Sequence, residues 1–499
     1  MSSKTVYLLL FITMGCTMGY GQGMHQPGGG HESQWTAAGP VTPDETPVAP
    51  PWINESPAAH YTIQSIAMEG NRTTRSRTIL REIPFAEGDS LPGSKLADRL
   101  ERARLNLMNT GLFNFVEAEV KPRDNQAVAI TFHFVERWNI WPLPVLELEE
   151  PNLNQWLDDP SFSAFNYGIN LRAYNLSGRN ERIRMEAKAG NVQSLDLQLI
   201  TPYFGDNQSY RGELQYSLDR SKRRAYDTED NEQLVARLSD AFISREYAFV
   251  AGIRFHPGFY NTHRLALSFH HHHYADTLLQ LNPRFGPDGE NRFSFFTAAY
   301  SFRRDRRDIM AYPLDGYLIE GGIKQKGLGL LPDEHMRVTT LFGSLRHYTP
   351  LVDKWYAAWS VYGKWNEGTT LAYFDREGLG FNRSLVRGYE HYVVDGHKFF
   401  IFKSNLKYNL LPERVSDISV IPAETFSRIH YALYLNFFTD VGIMDDRHYQ
   451  GGNNLANRWL AGTGIGLDLH TYYDMVLRSE VSLNRHGETG LFFHLAAPI

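Results

Sequence analysis

The sequence has almost no cysteine: Cys16 is the only one in 499 residues. An internal disulfide needs two cysteines, so a disulfide framework is excluded. Cys16 lies in the motif TMGC, and a lipoprotein leader normally carries leucine three positions before its cysteine, where this chain has Thr13. We therefore favour cleavage after Gly21, which leaves a mature chain without cysteine, and keep lipidation of Cys16 as the alternative.

Long apolar runs are also scarce. Lys4 precedes an apolar run over residues 6–14 and a group of small residues, which is the layout of a secretory signal peptide over residues 1–21. No later segment has the roughly eighteen consecutive apolar residues that a transmembrane helix needs. Any later crossing of a membrane must therefore be made by β-strands.

The sequence has no excess of positive charge and none of the common catalytic motifs. Its formal net charge is -6, whereas nucleic-acid-binding proteins present a basic face, so we expect no nucleic acid among its partners. The G-x-S-x-G elbow, the glycine-rich phosphate loop and the H-E-x-x-H pair are missing. We predict that the protein is not an enzyme and has no cofactor and no metal site.

Four consecutive histidines at residues 270–273 are the one feature that suggests a metal. Neighbouring residues of a strand point to opposite faces, so only two of the four imidazoles could share a site. No carboxylate or cysteine is spaced to complete the coordination. We therefore favour a structural role for this run.

What the sequence does contain divides into four parts. Residues 22–60 are rich in proline, glycine and small polar residues, which predicts a disordered linker. Residues 61–137 combine strand-like alternation with leucines at helical spacing and predict a β-α-α-β-β domain. We expect two helices to cover one face of its three-stranded sheet and one sheet edge, at residues 132–135, to stay open to an extended chain.

From residue 138 to 499 the apolar period becomes two and stays two, which predicts a transmembrane antiparallel β-barrel. Seventeen candidate strands are found, but bacterial single-chain barrels have even numbers, so we predict sixteen strands and place the error within residues 211–255. A large soluble β-sandwich or propeller is the alternative. It requires an apolar inner face, whereas many of these runs have large residues on both faces and charges on one.

Several motifs resemble one family. Residues 61–137 are similar to a polypeptide-transport-associated (POTRA) domain, through IQSIAMEGN and GLFNFVEAEV, and the motifs YNLSGRNERIRM and LQLITPYF resemble the early barrel strands that follow it. The later motifs VRGY and FTDVG complete the pattern. By these motifs the chain resembles the BamA/TamA-like superfamily of outer-membrane assembly and translocation barrels, also called the bacterial surface antigen family.

The resemblance implies a loop that folds back into the barrel and is anchored there. The loop motif consists of Val386, Arg387, Gly388 and Tyr389. The lumen partner motif, on a later strand, consists of Phe438, Asp440 and Gly442. Alternation alone places Asp440 on the inner face, where its carboxylate would accept charge-assisted hydrogen bonds from the Arg387 guanidinium.

Two further features bear on this interpretation. Many family members have an acidic residue on the strand just after the loop, where this chain has Lys407, so the anchor has a single carboxylate in the sequence interpretation. The segment ETGLFFHL near the C-terminus resembles the terminal strand signal of outer-membrane proteins, with Gly490, Phe493 and Leu495 as its key positions. The same segment is also explained simply as the closing strand of the barrel.

The resemblance implies an assembly or translocation factor of the bacterial outer membrane with its N-terminal domain in the periplasm. Client polypeptide, outer-membrane or secreted, would pair with the POTRA edge and pass a lateral gate between the first and last strands, near residues 138–150 and 489–495. Partners would include the lipid bilayer and accessory subunits, and a single POTRA domain favours a specialised member. A passive channel or structural barrel is the alternative, and a lipid-modifying enzyme is a third.

Overall fold

The computed structural model describes residues 50, 52–53, 57–148, 165–332, 334, 336–368, 371–381, 384–417, 428–447, 452–471 and 475–495. The expected signal peptide with Cys16 and most of the expected linker lie outside the described residues. Ile53, which the sequence analysis assigns to the linker, is completely buried in the core of the N-terminal domain, and Trp52 packs edge-on against Tyr61 with ring centroids 5.4 Å apart.

None of the helices in the described part of the chain is long and apolar enough to cross a bilayer.

The N-terminal domain is a four-stranded sheet packed against two helices. Its elements are β1 (His60–Glu69), α1 (Ser76–Leu80), β2 (Ser90–Pro92), α2 (Gly93–Asn109), β3 (Phe113–Pro122) and β4 (Ala127–Glu136). Leu96, Leu100, Ala103 and Leu107 recur at helical spacing on α2, so one face of this helix is buried in the core of the domain. The sequence analysis predicts three of the four strands and omits the three-residue β2.

The strand order of this sheet, β2-β1-β4-β3, corrects one expectation. β4, which contains residues 132–135, pairs in parallel with β1 on one side and antiparallel with β3 on the other. It is therefore an interior strand and presents no open edge. The long free edge belongs to β3 at the end of the order.

The rest of the described chain forms one 16-stranded antiparallel sheet that makes a β-barrel. Its strands are β5 (Ile140–Leu148), β6 (Phe165–Tyr174), β7 (Arg182–Ala189), β8 (Val192–Ile200), β9 (Tyr210–Ser221), β12 (Ser244–Phe255), β13 (Asn261–Tyr274), β14 (Arg292–Asp305), β15 (Gly316–Lys326), β16 (Val338–Val352), β17 (Trp355–Gly368), β18 (Lys398–Asp417), β19 (Arg428–Asp445), β20 (Trp459–Thr471), β21 (Met475–Asn484) and β22 (Thr489–Leu495). The predicted fold class and strand number are confirmed.

The surplus candidate is identified as well. β10 (Arg223–Glu229) and β11 (Glu232–Arg237) form a separate two-stranded hairpin, within the range where the error was expected. A third helix, α3 (Asp276–Leu281), lies in the loop between β13 and β14. Both elements stand outside the barrel sheet because they belong to connections between its strands.

Burial in the barrel follows the pattern expected of a membrane protein. On β19 the polar side chains of Asn436 and Asp440 are completely buried on the inner face. On β22 the outward residues Leu491 and Phe493 are apolar, and these residues expose 60% and 71% of their full accessible area. An apolar outer face and a polar interior are the arrangement that a bilayer requires.

The N-terminal domain contacts one end of the barrel. The Thr78 hydroxyl donates to the Gly178 carbonyl at 2.9 Å, in the connection between β6 and β7. The Asn109 side-chain amide at the end of α2 donates to the Asp308 carbonyl at 3.0 Å, in the connection between β14 and β15. The loop between β17 and β18 starts from the opposite end.

Candidate functional site: a loop anchored inside the barrel

The loop between β17 and β18 enters the barrel and places the VRGY motif against its inner wall. Val386 is 1% exposed, Arg387 is completely buried and Tyr389 is 3% exposed. Val386 and Tyr389 join an apolar cluster that also contains Leu379 and Val394 of the same loop. A charged side chain without contact to water needs a full set of partners.

Asp440 on β19 provides the main partner of Arg387. The Arg387 Nε donates to Asp440 Oδ2 at 2.8 Å and a terminal nitrogen donates to Asp440 Oδ1 at 2.5 Å, so the guanidinium and the carboxylate form a two-pronged pair. The Arg387 backbone N–H adds a third bond to Asp440 Oδ2 at 3.2 Å. Two parallel charge-assisted bonds fix orientation as well as distance.

Two other residues contact the guanidinium, whose Nη1 has no hydrogen-bond partner among the described residues. The Asn405 side-chain oxygen on β18 accepts a hydrogen bond from Arg387 at 2.8 Å. The Phe438 ring lies 3.9 Å from the guanidinium carbon, which is a cation–π contact. Phe438 lies two residues before Asp440 in the sequence. Its ring packs against the face of the guanidinium, while Asp440 binds the edge of the guanidinium.

Glycines leave the space that the loop occupies. A Cβ on Gly442 would lie 2.5 Å from a methyl group of Val386, and a Cβ on Gly462 of β20 would clash with the Arg387 carbonyl. Gly388 has a φ of 91°, a left-handed conformation that other residues rarely adopt. The glycines of both motifs are therefore explained by the close contact between loop and wall.

The same loop contacts the last hairpin of the barrel, β21–β22. The Asn484 side chain donates to the Gly388 carbonyl at 3.0 Å, and the Tyr392 hydroxyl donates to Glu488 at 2.9 Å. The rings of His391 and Phe492 lie 5.3 Å apart. These contacts connect the VRGY loop to the strand that closes the sheet.

Glu480 on β21 is a second carboxylate near Arg387, which the sequence analysis did not identify. Its Oε2 lies 4.0 Å from Arg387 Nη1, and its side chain is completely buried. Lys407, where an acid was expected, instead places its ammonium 4.1 Å from the centre of the Tyr312 ring. The alternation of MVLRSEVSLN would have revealed Glu480, because Arg478 and Glu480 share the inner face of β21.

Glu390 of the loop lies beside this region. Its Oε2 accepts the Gly388 N–H at 2.8 Å, while its Oε1 has no hydrogen-bond partner among the described residues. Burial raises the pKa of the Glu390 carboxyl to about 7.

A second buried ion pair lies on β20 and β21. Arg478 donates to Asp468 through Nε at 2.5 Å and through a terminal nitrogen at 2.6 Å. The Tyr312 hydroxyl, from the connection between β14 and β15, donates to Asp468 Oδ2 at 2.7 Å. The sequence analysis missed this pair because no short motif marks it.

The remaining predicted features lie apart from the loop anchor. Phe493 faces outward on β22, Gly490 lies in the same strand, and the Leu495 side chain is outside the described residues. In the histidine run, His270 and His272 face inward and are 3% and 7% exposed. Their rings bond to the hydroxyls of Ser268 and Tyr274, so both have partners from the protein.

The two edges of the barrel sheet, β5 and β22, show no ladder between them among the described residues. The Tyr174 N–H donates to the Asn139 carbonyl, and the register continues without a bulge, so the odd-numbered residues of β5 bond to β6. The even-numbered residues therefore direct their main-chain groups to the free edge. Two of them, Pro142 and Pro144, have no N–H to donate.

Comparison with protein families identifies the chain. The model described as a surface antigen variable number repeat, POTRA, matches residues 61–137, and the model described as the Omp85 superfamily domain matches residues 175–403, which include the VRGY motif. The chain contains a POTRA domain and an Omp85 superfamily domain. The resemblance drawn from the motifs is thereby confirmed. The protein resides in the bacterial outer membrane and serves assembly or translocation there.

The chain is also similar to solved structures, and the first of the two that follow supports this fold. CdiB from Escherichia coli is 15% identical, with 88% of this chain and 74% of that chain covered and a TM-score of 0.51. BamA from Haemophilus ducreyi lacking POTRA domains 1–3 is 14% identical, with 87% and 83% covered and a TM-score of 0.47. A search of curated proteins gave no match.

Proposed function

We propose that this Omp85 protein receives unfolded client polypeptide at the free edge of its POTRA sheet and inserts or translocates it through a lateral gate between β5 and β22. The observation that carries the proposal is the free edge of β5, where prolines replace two of the hydrogen-bond donors. The VRGY loop holds the other side of the gate, since it contacts the β21–β22 hairpin.

The energetics of a lipid-facing edge favour opening at this seam. Each unsatisfied main-chain group in the bilayer core costs several kcal/mol, so a continuous ladder does not open. The Asn484 N–H donates to the Glu488 carbonyl, so the odd-numbered residues of β22, including Leu491 and Phe493, direct their groups to its free edge. β5 cannot donate main-chain hydrogen bonds to these groups of β22 at Pro142 or Pro144. An incoming client strand with a full set of N–H groups can.

The POTRA edge has the properties of a docking strand. The Arg123 N–H donates to the Ala127 carbonyl, so the odd-numbered residues of β3 bond to β4. Val116, Ala118 and Val120 therefore direct their main-chain groups to the free edge. An extended peptide can add to such an edge as a further strand by main-chain hydrogen bonds.

Site-specific photocrosslinking in cells tests both contacts. A photoreactive residue in place of Glu117, which is exposed on β3, and one in place of Leu491 on β22 should capture unfolded client chains. Matched positions away from either edge, Lys95 on α2 and Leu267 on β13, should capture none. Equal capture at the control positions, or a steady ion conductance without any client adduct, would favour the passive-channel alternative.

A further inference from the structure

Three side chains with metal-binding atoms meet between the VRGY loop and the closing hairpin. Glu390 of the loop, Glu480 of β21 and His494 of β22 each place one such atom within 4.8 Å of the others. The His494 Nε2 lies 3.0 Å from Glu480 Oε1. The three residues come from three segments that meet only in the folded barrel.

The cluster holds a buried polar atom without a hydrogen-bond partner. Glu480 is 1% exposed, and its Oε2 makes no hydrogen bond among the described residues. The nearest cations, Arg387 and Arg478, approach this oxygen only to 4.0 Å. A buried carboxylate oxygen normally has a donor or a cation at bonding distance, so Glu480 Oε2 is available to coordinate a ligand.

Two carboxylates and one imidazole nitrogen all offer lone pairs, so the ligand that they can share is a cation. Arg387 is paired with Asp440 and Arg478 with Asp468, each at 2.5 to 2.6 Å. The two arginines are therefore neutralised by the two aspartates. Glu480 lies 4.0 Å from both arginines, and the buried Lys403 also acts electrostatically on Glu390 and Glu480, but none of these cations donates a hydrogen bond to Glu480 Oε2.

We propose that Glu390, Glu480 and His494 form a zinc site that fastens the VRGY loop to the last strand of the barrel. One imidazole and two carboxylates are ligands that zinc accepts, and three protein ligands leave a fourth position for water. The Glu480 side chain is fixed by its burial, and the other two ligands lie on the loop and on β22. Zinc would thus cross-link the loop to the strand at the gate.

The site differs from the histidine run at residues 270–273, where Glu246 lies 3.6 Å from His272 but no group of three metal-binding side chains forms among the described residues. It also stands independently of the proposed client pathway, because zinc binding can be measured without a client. Loss of the site and loss of the client pathway are therefore separate outcomes.

Isothermal titration calorimetry on the folded, tag-free full chain after EDTA treatment tests the site with Zn²⁺ as the only ligand. We expect one zinc ion per chain, and at least a tenfold weaker affinity in each of the variants Glu390→Gln and His494→Gln. The thermal unfolding midpoint should rise with zinc in the wild type and remain unchanged in both variants.

Two controls match the variants. His391→Gln changes the neighbouring ring of the same loop, and His272→Gln changes the histidine run, so both should bind zinc as the wild type does. Heat-modifiable mobility in electrophoresis shows which variants have folded barrels, and Glu390→Gln alone tests the site if His494→Gln does not fold. Absence of saturable zinc binding in the wild type, or undiminished binding in Glu390→Gln, would overturn the proposal. A proton shared by the two carboxylates would then explain why they lie close together.

Discussion

At the scale of single residues, the Arg387–Asp440 pair decides whether the loop stays inside the barrel. Both side chains are completely buried, so each depends on the other for its charge to be tolerated. Removing one partner of a buried pair typically costs about 3–5 kcal/mol, because the remaining charge is left uncompensated. The pair therefore mainly fixes the position of the loop inside the barrel, and it contributes less to the global stability of the protein.

We expect Arg387→Lys to release the loop although it preserves the charge, because an ammonium cannot form the two parallel bonds that hold Asp440. Limited proteolysis from the outer surface should cleave the loop in the variant and spare it in the wild type. Arg447→Lys is the matched control, since Arg447 forms an exposed pair with Glu367 at 3.3 Å. A loop equally protected in Arg387→Lys would show that charge alone holds it.

Residue-level prediction from sequence depended on short motifs. Arg387 and Asp440 were identified because both lie in recognisable motifs and alternation fixes the face of Asp440. Glu480 and Asp468 belong to no motif, and their importance arises from contacts between distant strands. The expected single carboxylate was therefore an incomplete description, because Glu480 on β21 supplies the second charge that the strand after the loop lacks.

At the scale of elements, β5 shows how two residues change a strand. Pro142 and Pro144 occur at alternate positions, so both remove a donor from the same edge, while the odd-numbered positions keep a complete ladder to β6. The strand is therefore securely bound on one side and weakened on the other. This asymmetry is the property that a gate strand needs.

We expect the double substitution Pro142→Thr and Pro144→Thr to close the seam. Two restored N–H groups add hydrogen bonds worth about 0.5–1.5 kcal/mol each, so the unfolding midpoint should rise and client crosslinking at Leu491 should fall. Pro350→Thr, in β16, is the control because Pro350 is opposite Tyr356 of β17 and lies outside the seam between β5 and β22. A fall in crosslinking of the same size in the control would show that the loss of a proline, and not closure of the gate, lowers client capture.

Element-level prediction succeeded where the apolar period persisted over many strands. The period of two located the sixteen barrel strands, and it failed at β11 because a hairpin in a loop has the same local pattern as a barrel strand. The open POTRA edge was misplaced at residues 132–135 for a different reason. The parallel pairing of β1 with β4 joins strands that are far apart in the chain, and no local pattern encodes it.

At the scale of the whole molecule, hydrogen bonds connect the POTRA domain to the barrel interior. The Asn109 side chain binds the connection between β14 and β15, and Tyr312 of the same connection reaches the buried Asp468. A movement of the POTRA domain would therefore reach the wall that carries Arg478, which neighbours Glu480 in the gate region. Domains joined by few contacts move relative to each other by default, so these bonds set how far the two move together.

We expect Asn109→Ala to broaden the distance distribution between a spin label at Lys95 and one at Arg447, measured by double electron–electron resonance on the purified barrel. The reason is the loss of the bond to the Asp308 carbonyl, which joins the two parts. Asn106→Ala is the matched control on the same helix, because the Asn106 side chain binds the Glu82 carbonyl within the POTRA domain at 3.0 Å. An equal broadening in the control would mean that the helix, and not the joint, had been loosened.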